Sequence, residues 1–261
     1  MMDITKNTQS AHEIKNLLNA DGETLVKVYE QIDSTNAEAK RLAANGIYTD
    51  ALIVADSQTA GRGRLGRSFY SPKGTGLYMS YLYTPATDIN DHVVVTAAAA
   101  VAVCRALKRL CHTVPKIKWV NDIYVDSKKV CGILTEAVQC HKNSTKTHII
   151  VGIGINLTTT DFPDDLKGVA ASLNSCDTSR NRLAAEITAE LKSVIGALPS
   201  RAFLKDYREM SLVLGKEVTY TKNGISNVGT ATDIDQNGGL VVLANGQTVT
   251  LSTGEISVKI N

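Results

Sequence analysis

The sequence predicts an α+β fold: a mixed, largely antiparallel sheet with helices on one side, followed by a small C-terminal β-barrel. Three observations carry this. Strand-like runs at Thr24–Glu30, Ala51–Ala55, Gly76–Tyr83 and His148–Leu157 are interleaved with longer helical stretches. Between Lys116 and Val138 strand-like runs follow one another closely, two of them joined by an Asp126-Ser127-Lys128 turn, which makes a local hairpin. From Lys216 onward, short strands are separated by Asn223-Gly224, Asn237-Gly238 and Asn245-Gly246, and Asn-Gly between alternating apolar runs is a strong hairpin signal. Residues 1–214 are therefore read as one domain, and residues 215–261 as a barrel of about five strands.

Residues 1–23 are polar and read as weakly structured; they lack the apolar run of a signal peptide. After the Thr24–Glu30 strand, Thr35 and Glu38 have capping-box spacing, and the helix runs to about Asn45 with Gly46 beyond. Such a helix start also offers free N–H groups to a ligand. The apolar strand Ala51–Ala55 leads to Gln58. A helix follows from about Asp91 to Leu110, its alanine-rich sequence implying burial on more than one face. Its apolar run His92–Cys104 is too short to span a bilayer. Strands are expected at Ile117–Val120, Ile123–Val125 and Val130–Val138, a polar loop at 161–165, and helices at about 180–198 and 200–214.

The 261 residues are 43% hydrophobic and 21% charged with a net charge of +2, so any strong positive field must be local rather than that of a general nucleic-acid binder. The five cysteines form no C-x-x-C, which points to free thiols in a reducing compartment. Cys111-His112 and Cys140-His141 lack a partner at zinc-site spacing.

The local field is in residues 58–80, QTAGRGRLGRSFYSPKGTGLYMS, where Arg62, Arg64, Arg67 and Lys73 meet no acidic residue between Asp56 and Asp88. Glycines let the backbone approach a ligand closely, and arginine forks suit phosphate or carboxylate oxygens. The stretch reads as a loop around an anionic small molecule, with a solvated basic loop or a Gly/Arg nucleic-acid segment as alternatives. Residues 116–136 bring Asn121, Asp122 and Lys129 to one hairpin, beside the sole tryptophan, Trp119. Gly132 follows in a strand, where glycine marks close approach. Gly152 and Gly154 share a strand face and leave room for a flat ligand; Asn156 ends that strand as an edge reader or a terminator.

Taken in order, Ser34-Thr35-Asn36, the Gln58…GRGRLGR…SP.G.GLY.S block, Lys118-Trp119-x-Asn121-Asp122, Lys129-x-x-Gly132-Ile133-Leu134-x-Glu136 and Gly152-x-Gly154-x-Asn156 resemble the biotin–protein ligases over most of residues 30–261. The resemblance implies an enzyme that joins biotin to ATP as biotinyl-5′-adenylate with Mg²⁺, then passes biotin to a lysine of a carboxylase carrier domain. It implies an SH3-like form for the terminal barrel. Ser34, Thr35 and Gln58 would hold the ureido ring, Gly61 and Arg62 the biotin end and its carboxylate, and Gly132, Leu134 and Gly152 the pocket walls. Arg62, Arg64, Phe69, Asn121 and Asn156 would contact the nucleotide. Lys129 matches the family's central lysine and would serve both ligands; with Arg64 and Asp122 it forms the implied catalytic set. Asp122 would hold Mg²⁺ or orient the incoming amine, and the metal ligands are otherwise unassigned.

Val120 and Cys131 stand where many members have proline and a small residue. Only about thirty residues precede Ser34, so a helix-turn-helix repressor domain is not expected, nor is DNA binding or a membrane anchor. The expectation is a cytoplasmic monomer or homodimer. A lipoate or octanoyl ligase on a related fold and a non-enzymatic nucleic-acid binder are the rival readings.

Overall fold

The computed structural model describes residues 9–18, 24–46, 49–85, 92–139, 147–174, 176–222, 224–252 and 258–260. Residues 1–8, the Asn223 turn position and the Cys140-His141 pair lie outside the described residues. The elements run α1 (Ala11–Leu17), β1 (Leu25–Tyr29), α2 (Thr35–Ala44), β2 (Ala51–Ala55), β3 (Gly76–Tyr83), α3 (His92–Cys111), β4 (Lys116–Lys118), β5 (Asp122–Val125), β6 (Lys128–Gln139) and β7 (Thr147–Asn156). They continue with α4 (Arg180–Gly196), α5 (Phe203–Met210), β8 (Glu217–Lys222), β9 (Ile225–Ile234), β10 (Leu240–Ala244), β11 (Gln247–Leu251) and β12 (Val258–Ile260).

The first sheet has seven strands in the order β1-β2-β3-β7-β6-β5-β4. Among its described strands β1 and β2 alone pair in parallel, because α2 carries the chain back across between them; the other strand pairs are antiparallel. The remaining five strands form an antiparallel sheet, β11-β10-β9-β8-β12. This is the mixed, largely antiparallel sheet and terminal β-unit that the sequence predicts.

Alternation along the strands assigns the faces. Leu52, Val54, Leu77, Met79 and Tyr81 join the core that contains α3, α4 and α5. Ala51, Ile53, Leu82 and Ile150 face the other way, against Ala39, Leu42 and Ala43 of α2. Helix α3 is buried on nearly every side, between the sheet and the neighbouring helices. The terminal sheet shares the large core through Val218, Ala231, Leu240 and Leu251. Its β9–β10 turn rests on α3: Gly238, at φ +80, lies against Val93 and Ala97. The buried Trp119 donates its Nε1–H to Gly238 O at 2.9 Å.

Five sequence expectations are corrected. The helices lie on both sides of the first sheet rather than on one, α2 against one face and α3, α4 and α5 against the other. A helix, α1, occupies part of the stretch read as weakly structured, with Ser10 capping it from the Glu13 N–H. Ser34, not Thr35, is the N-cap of α2, and it makes no side-chain cap; Glu38 is drawn instead to Tyr29 Oη and Arg41. The last helix stops at Met210 because the chain turns to pair with β4, Leu212 N–H donating to Ile117 O at 2.7 Å. Finally, Cys111 and Cys176 form a disulfide. Cys111 ends α3 and Cys176 precedes α4; packing of these two helices brings together residues separated by 65 positions.

Candidate functional site

The Gly/Arg loop folds back on itself. Phe69 N–H donates to Gly61 O at 2.9 Å and Gly63 N–H to Arg67 O at 2.8 Å. A 3₁₀ turn at Arg64–Gly66 forms the tip, with Leu65 at φ 57 and Gly66 at φ +72. Glycine accommodates the left-handed backbone at the second of these positions without strain. The loop's charge is less isolated than the sequence implies, since Arg62 lies 3.7 Å from Glu136 and Lys73 lies 3.8 Å from Glu30, both acids remote in sequence.

Beneath the loop is a cavity of about 300 Å³, the scale of a small-molecule site. All the sequence-selected site residues except Gly61 line it: Ser34, Thr35, Gln58, Arg62, Arg64 and Phe69, with Asn121, Asp122, Lys129, Gly132, Leu134, Gly152 and Asn156. Gly61 lies behind the wall, where a Cβ would run into Phe69 O and come within 2.7 Å of Ser71 Oγ. Its lack of a side chain is thus a requirement of loop packing.

One group of lining residues is neutral and polar. Gln58 Oε1 accepts from the Thr35 N–H at 2.8 Å and from Thr35 Oγ1 at 3.2 Å, while Gln58 Nε2 donates to Ser71 Oγ at 2.8 Å. Ser80, fully buried, donates to Thr35 Oγ1 at 2.8 Å and Asn36 Oδ1 at 2.6 Å, one at a time because it has a single O–H. The start of α2 and the end of β2 are thus cross-braced.

A second group is charged. Lys129 Nζ lies 2.7 Å from Asp122 Oδ1 across the β5–β6 hairpin. Arg64 Nη1 donates to Asn121 Oδ1 at 2.6 Å, tying the loop tip to that hairpin, and Asn121 Nδ2 donates to Ile133 O at 3.1 Å. Burial lowers the pKa of Arg64, against the opposing pull of Asp122. Burial also lowers that of Lys118, helped by the like charges of Lys129, Lys259 and Arg67 and opposed by Asp122. Among the described residues there is no group of three or more His, Cys, Asp or Glu side chains able to hold a metal.

The strand glycines act differently from expectation. The space over Gly152 is taken by the Asn36 amide and that over Gly154 by the Phe69 ring, whose Cζ lies 2.6 Å from where a Cβ would be. The glycines therefore seat two side chains that complete the floor. Gly132 does not mark a close approach: a Cβ there would stand 3.4 Å from Phe69 Cε2 and 3.5 Å from Lys129 Cε, ordinary van der Waals contact with side chains rather than with another backbone. Asn156 donates through Nδ2 to Ala171 O at 3.4 Å, whereas its buried Oδ1 has no hydrogen-bond partner among the described residues.

Sequence reasoning missed one wall. Phe162 lines the cavity from the 161–165 segment read only as polar loop, and Leu166, Val169 and Ala170 line it from the stretch that follows, to which no element was assigned. The segment is held by Lys129 N–H donating to Val169 O at 3.1 Å and Ala171 N–H donating to Lys129 O at 2.9 Å. An aromatic, Phe162, between acidic residues was the available signal. Asn36 was part of a motif but had no assigned role.

Residues 28–156 match the biotin/lipoate A/B protein ligase family, and residues 213–259 match the biotin protein ligase C-terminal domain. A biotin–[acetyl-CoA-carboxylase] ligase of Mycobacterium tuberculosis is 31% identical over 242 residues, covering 88% of this chain and 87% of that one. The chain belongs to the biotin protein ligases. The bifunctional ligase/repressor BirA of Bacillus subtilis is 40% identical over 148 residues, 56% of this chain, and the match spans only 45% of that relative's length. Among solved structures, the Aquifex aeolicus biotin protein ligase in complex with biotin and ATP superposes with a TM-score of 0.78 at 27% identity, covering 91% of this chain and 99% of that one. Among the described residues no helix of this family member is long and apolar enough to cross a membrane.

Proposed function

We propose that this biotin protein ligase activates biotin with ATP to biotinyl-5′-AMP and transfers the biotinyl group to a lysine of a biotin carboxyl carrier domain. The supporting observation is a single cavity lined both by the neutral Ser34–Thr35–Gln58 group and by the cations Arg62, Arg64 and Lys129. The first group offers donors and acceptors to a ureido ring; the second suits a carboxylate meeting a phosphate. Residues 1–214 carry the reaction and residues 215–261 form the abutting barrel domain.

In the first step a biotin carboxylate oxygen attacks the α-phosphorus, and the bond to the bridging oxygen of pyrophosphate breaks. Two unit negative charges about 4 Å apart repel by about 4 kcal/mol at an effective dielectric of about 20. Arg62, Arg64 and Lys129 offset that repulsion and stabilise the charge that develops at phosphorus. Lys129 is held for this by Asp122 and by the backbone pairing of its own residue with Val169 and Ala171. Asp122, the one carboxylate that lines the cavity among the described residues, would hold a Mg²⁺ arriving on the ATP phosphates, which would supply further charge neutralisation. Asn156 Oδ1 is left to accept from the nucleotide, and Phe69 packs beside it. Closure of the Arg62–Phe69 loop excludes water from the adenylate. In the second step the carrier's lysine amine attacks the acyl carbon, AMP leaves, and the amine gives up a proton.

A reaction that uses ATP and a carrier domain favours a cytoplasmic setting, whereas the Cys111–Cys176 disulfide runs against reducing surroundings. The test is ATP–pyrophosphate exchange with biotin, lipoate, octanoate or no acid. Exchange that requires biotin is expected. Exchange driven by lipoate would move the assignment within the family, and exchange with none of the acids by the folded protein would refute ligase chemistry.

A further inference from the structure

Beyond the cavity wall is a carboxylate that the reaction scheme does not use. Residues 132, 134 and 136 of β6 share one strand face; Gly132 and Leu134 line the cavity, and Glu136 stands one step further along without lining it. Acid beside a pocket for an acid is unfavourable unless its charge is answered. Here Glu136 Oε1 lies 2.8 Å from Lys40 Nζ and 3.7 Å from Arg62 Nη1, while Oε2 accepts from Asn36 Nδ2 at 2.9 Å. Burial by itself would raise the Glu136 pKa; the hydrogen bonds from Lys40 and Asn36 and the nearby Arg62 outweigh it and hold the carboxyl below its ordinary value.

The two cations differ in their grip. Lys40 makes a short hydrogen-bonded pair, whereas Arg62 is a looser neighbour with its side chain 50% exposed. Lys40 and Asn36 can satisfy Glu136 without help, so Arg62 can turn to a ligand without stranding a buried charge. Until then Glu136 keeps the guanidinium of a long, flexible side chain beside the cavity, reducing the ordering required on binding.

We propose that Glu136 is a positioning residue for Arg62: it parks the guanidinium at the cavity so that the substrate carboxylate meets a pre-set cation. The proposal deepens the reading of the cavity as a biotin site and rests on it. It assigns Glu136 an effect on the carboxylate end of the ligand alone, which separates it from general support of the fold.

The test compares binding of biotin with that of its alcohol analogue, in which a hydroxymethyl group replaces the carboxylate, to the wild-type chain and to Glu136→Gln. Glutamine keeps the shape and an acceptor for Asn36 but removes the charge that holds Arg62. Biotin should bind about tenfold more weakly to the variant, the scale of one charge-assisted contact, with the alcohol unchanged. In an Arg62→Gln background, Glu136→Gln should have no further effect on biotin. Equal weakening of both ligands would overturn the proposal and reduce Glu136 to a support for Asn36; no change in either would overturn it as well. A wild-type protein that binds neither ligand would refute the biotin-site reading itself, and the proposal with it. Should Glu136→Gln fail to fold, Glu136→Asp, which withdraws the charge from Arg62, is read in the same comparison with the same outcomes.

Discussion

Gly152→Ala tests how the cavity floor is built. Gly152 has no positive φ, so alanine meets no backbone objection; the objection is steric. An added Cβ would collide with Asn36 Oδ1, lying 2.8 Å from Asn36 Cγ and 2.9 Å from Nδ2. The Asn36 side chain, 3% exposed, must leave its seat. It would give up the bond from Ser80 Oγ at 2.6 Å and those from Nδ2 to Glu136 Oε2 at 2.9 Å and to Leu134 O at 3.3 Å. Ser80 falls back on Thr35, so its own hydroxyl stays paired. The cost is therefore that of the two ends of one amide, about 1–3 kcal/mol for each buried group left without a partner. A loss of about 3 kcal/mol lowers Tm by about 6–12 °C in a chain of this size. The assay is thermal unfolding of Gly152→Ala, Asn36→Ala and the double variant. Because the methyl would enter space that Asn36 vacates, the double variant should be no less stable than Asn36→Ala alone. Additive losses, or a Gly152→Ala protein as stable as wild type, would refute the seating of Asn36 on Gly152.

Lys129→Ala should reduce biotin-dependent pyrophosphate exchange by about 10²–10³-fold, the scale of losing one fixed transition-state cation, with the circular dichroism spectrum unchanged; unimpaired exchange would remove Lys129 from the chemistry. Trp119→Phe leaves Gly238 O unpaired at the contact between the two sheets and should cost about 1–3 kcal/mol in denaturant unfolding. The hydrogen bonds of Arg41 lower the Asp33 pKa to about 2, outweighing burial. A lowered carboxyl pKa contributes stability that is present above the ordinary value and lost as pH falls toward about 2; Asp33→Asn should flatten that part of the acid limb, measured as Tm against pH. Alkylation of the unfolded, unreduced chain should leave Cys111 and Cys176 unlabelled, and labelling of both by mass spectrometry would contradict the disulfide.

Much of the sheet was legible because its strands obey local rules. Ala51–Ala55 and Gly76–Tyr83 are continuous apolar or alternating runs, and both match their observed bounds. The 126–127 turn is likewise local, with Asp126 at φ 50 and Ser127 at φ 63. What was misread depends on distant partners. Thr35 resembles a capping residue until Gln58 and Ser80 take its hydroxyl. The final helix looks longer than it is until β4 claims Leu212. The Gly/Arg loop looks uncompensated until β6 supplies Glu136, more than seventy positions away. In the cavity, residue types marked the charged group, whereas the Val169–Ala171 wall rests on backbone pairing that any sequence could make.

The bond from Trp119 to Gly238 bears on how such a chain can be cut and recombined. A turn of the small terminal sheet presses on the first two turns of α3 and accepts a hydrogen bond from a residue in the cavity wall. Grafting the last fifty or so residues from a relative is therefore not the exchange of a neutral module. The donor must bring a turn whose carbonyl meets the recipient's indole and whose glycine fits against Val93 and Ala97. Positions 119 and 238 form an inheritance pair: chimaeras that separate them should misshape the pocket even when both halves fold.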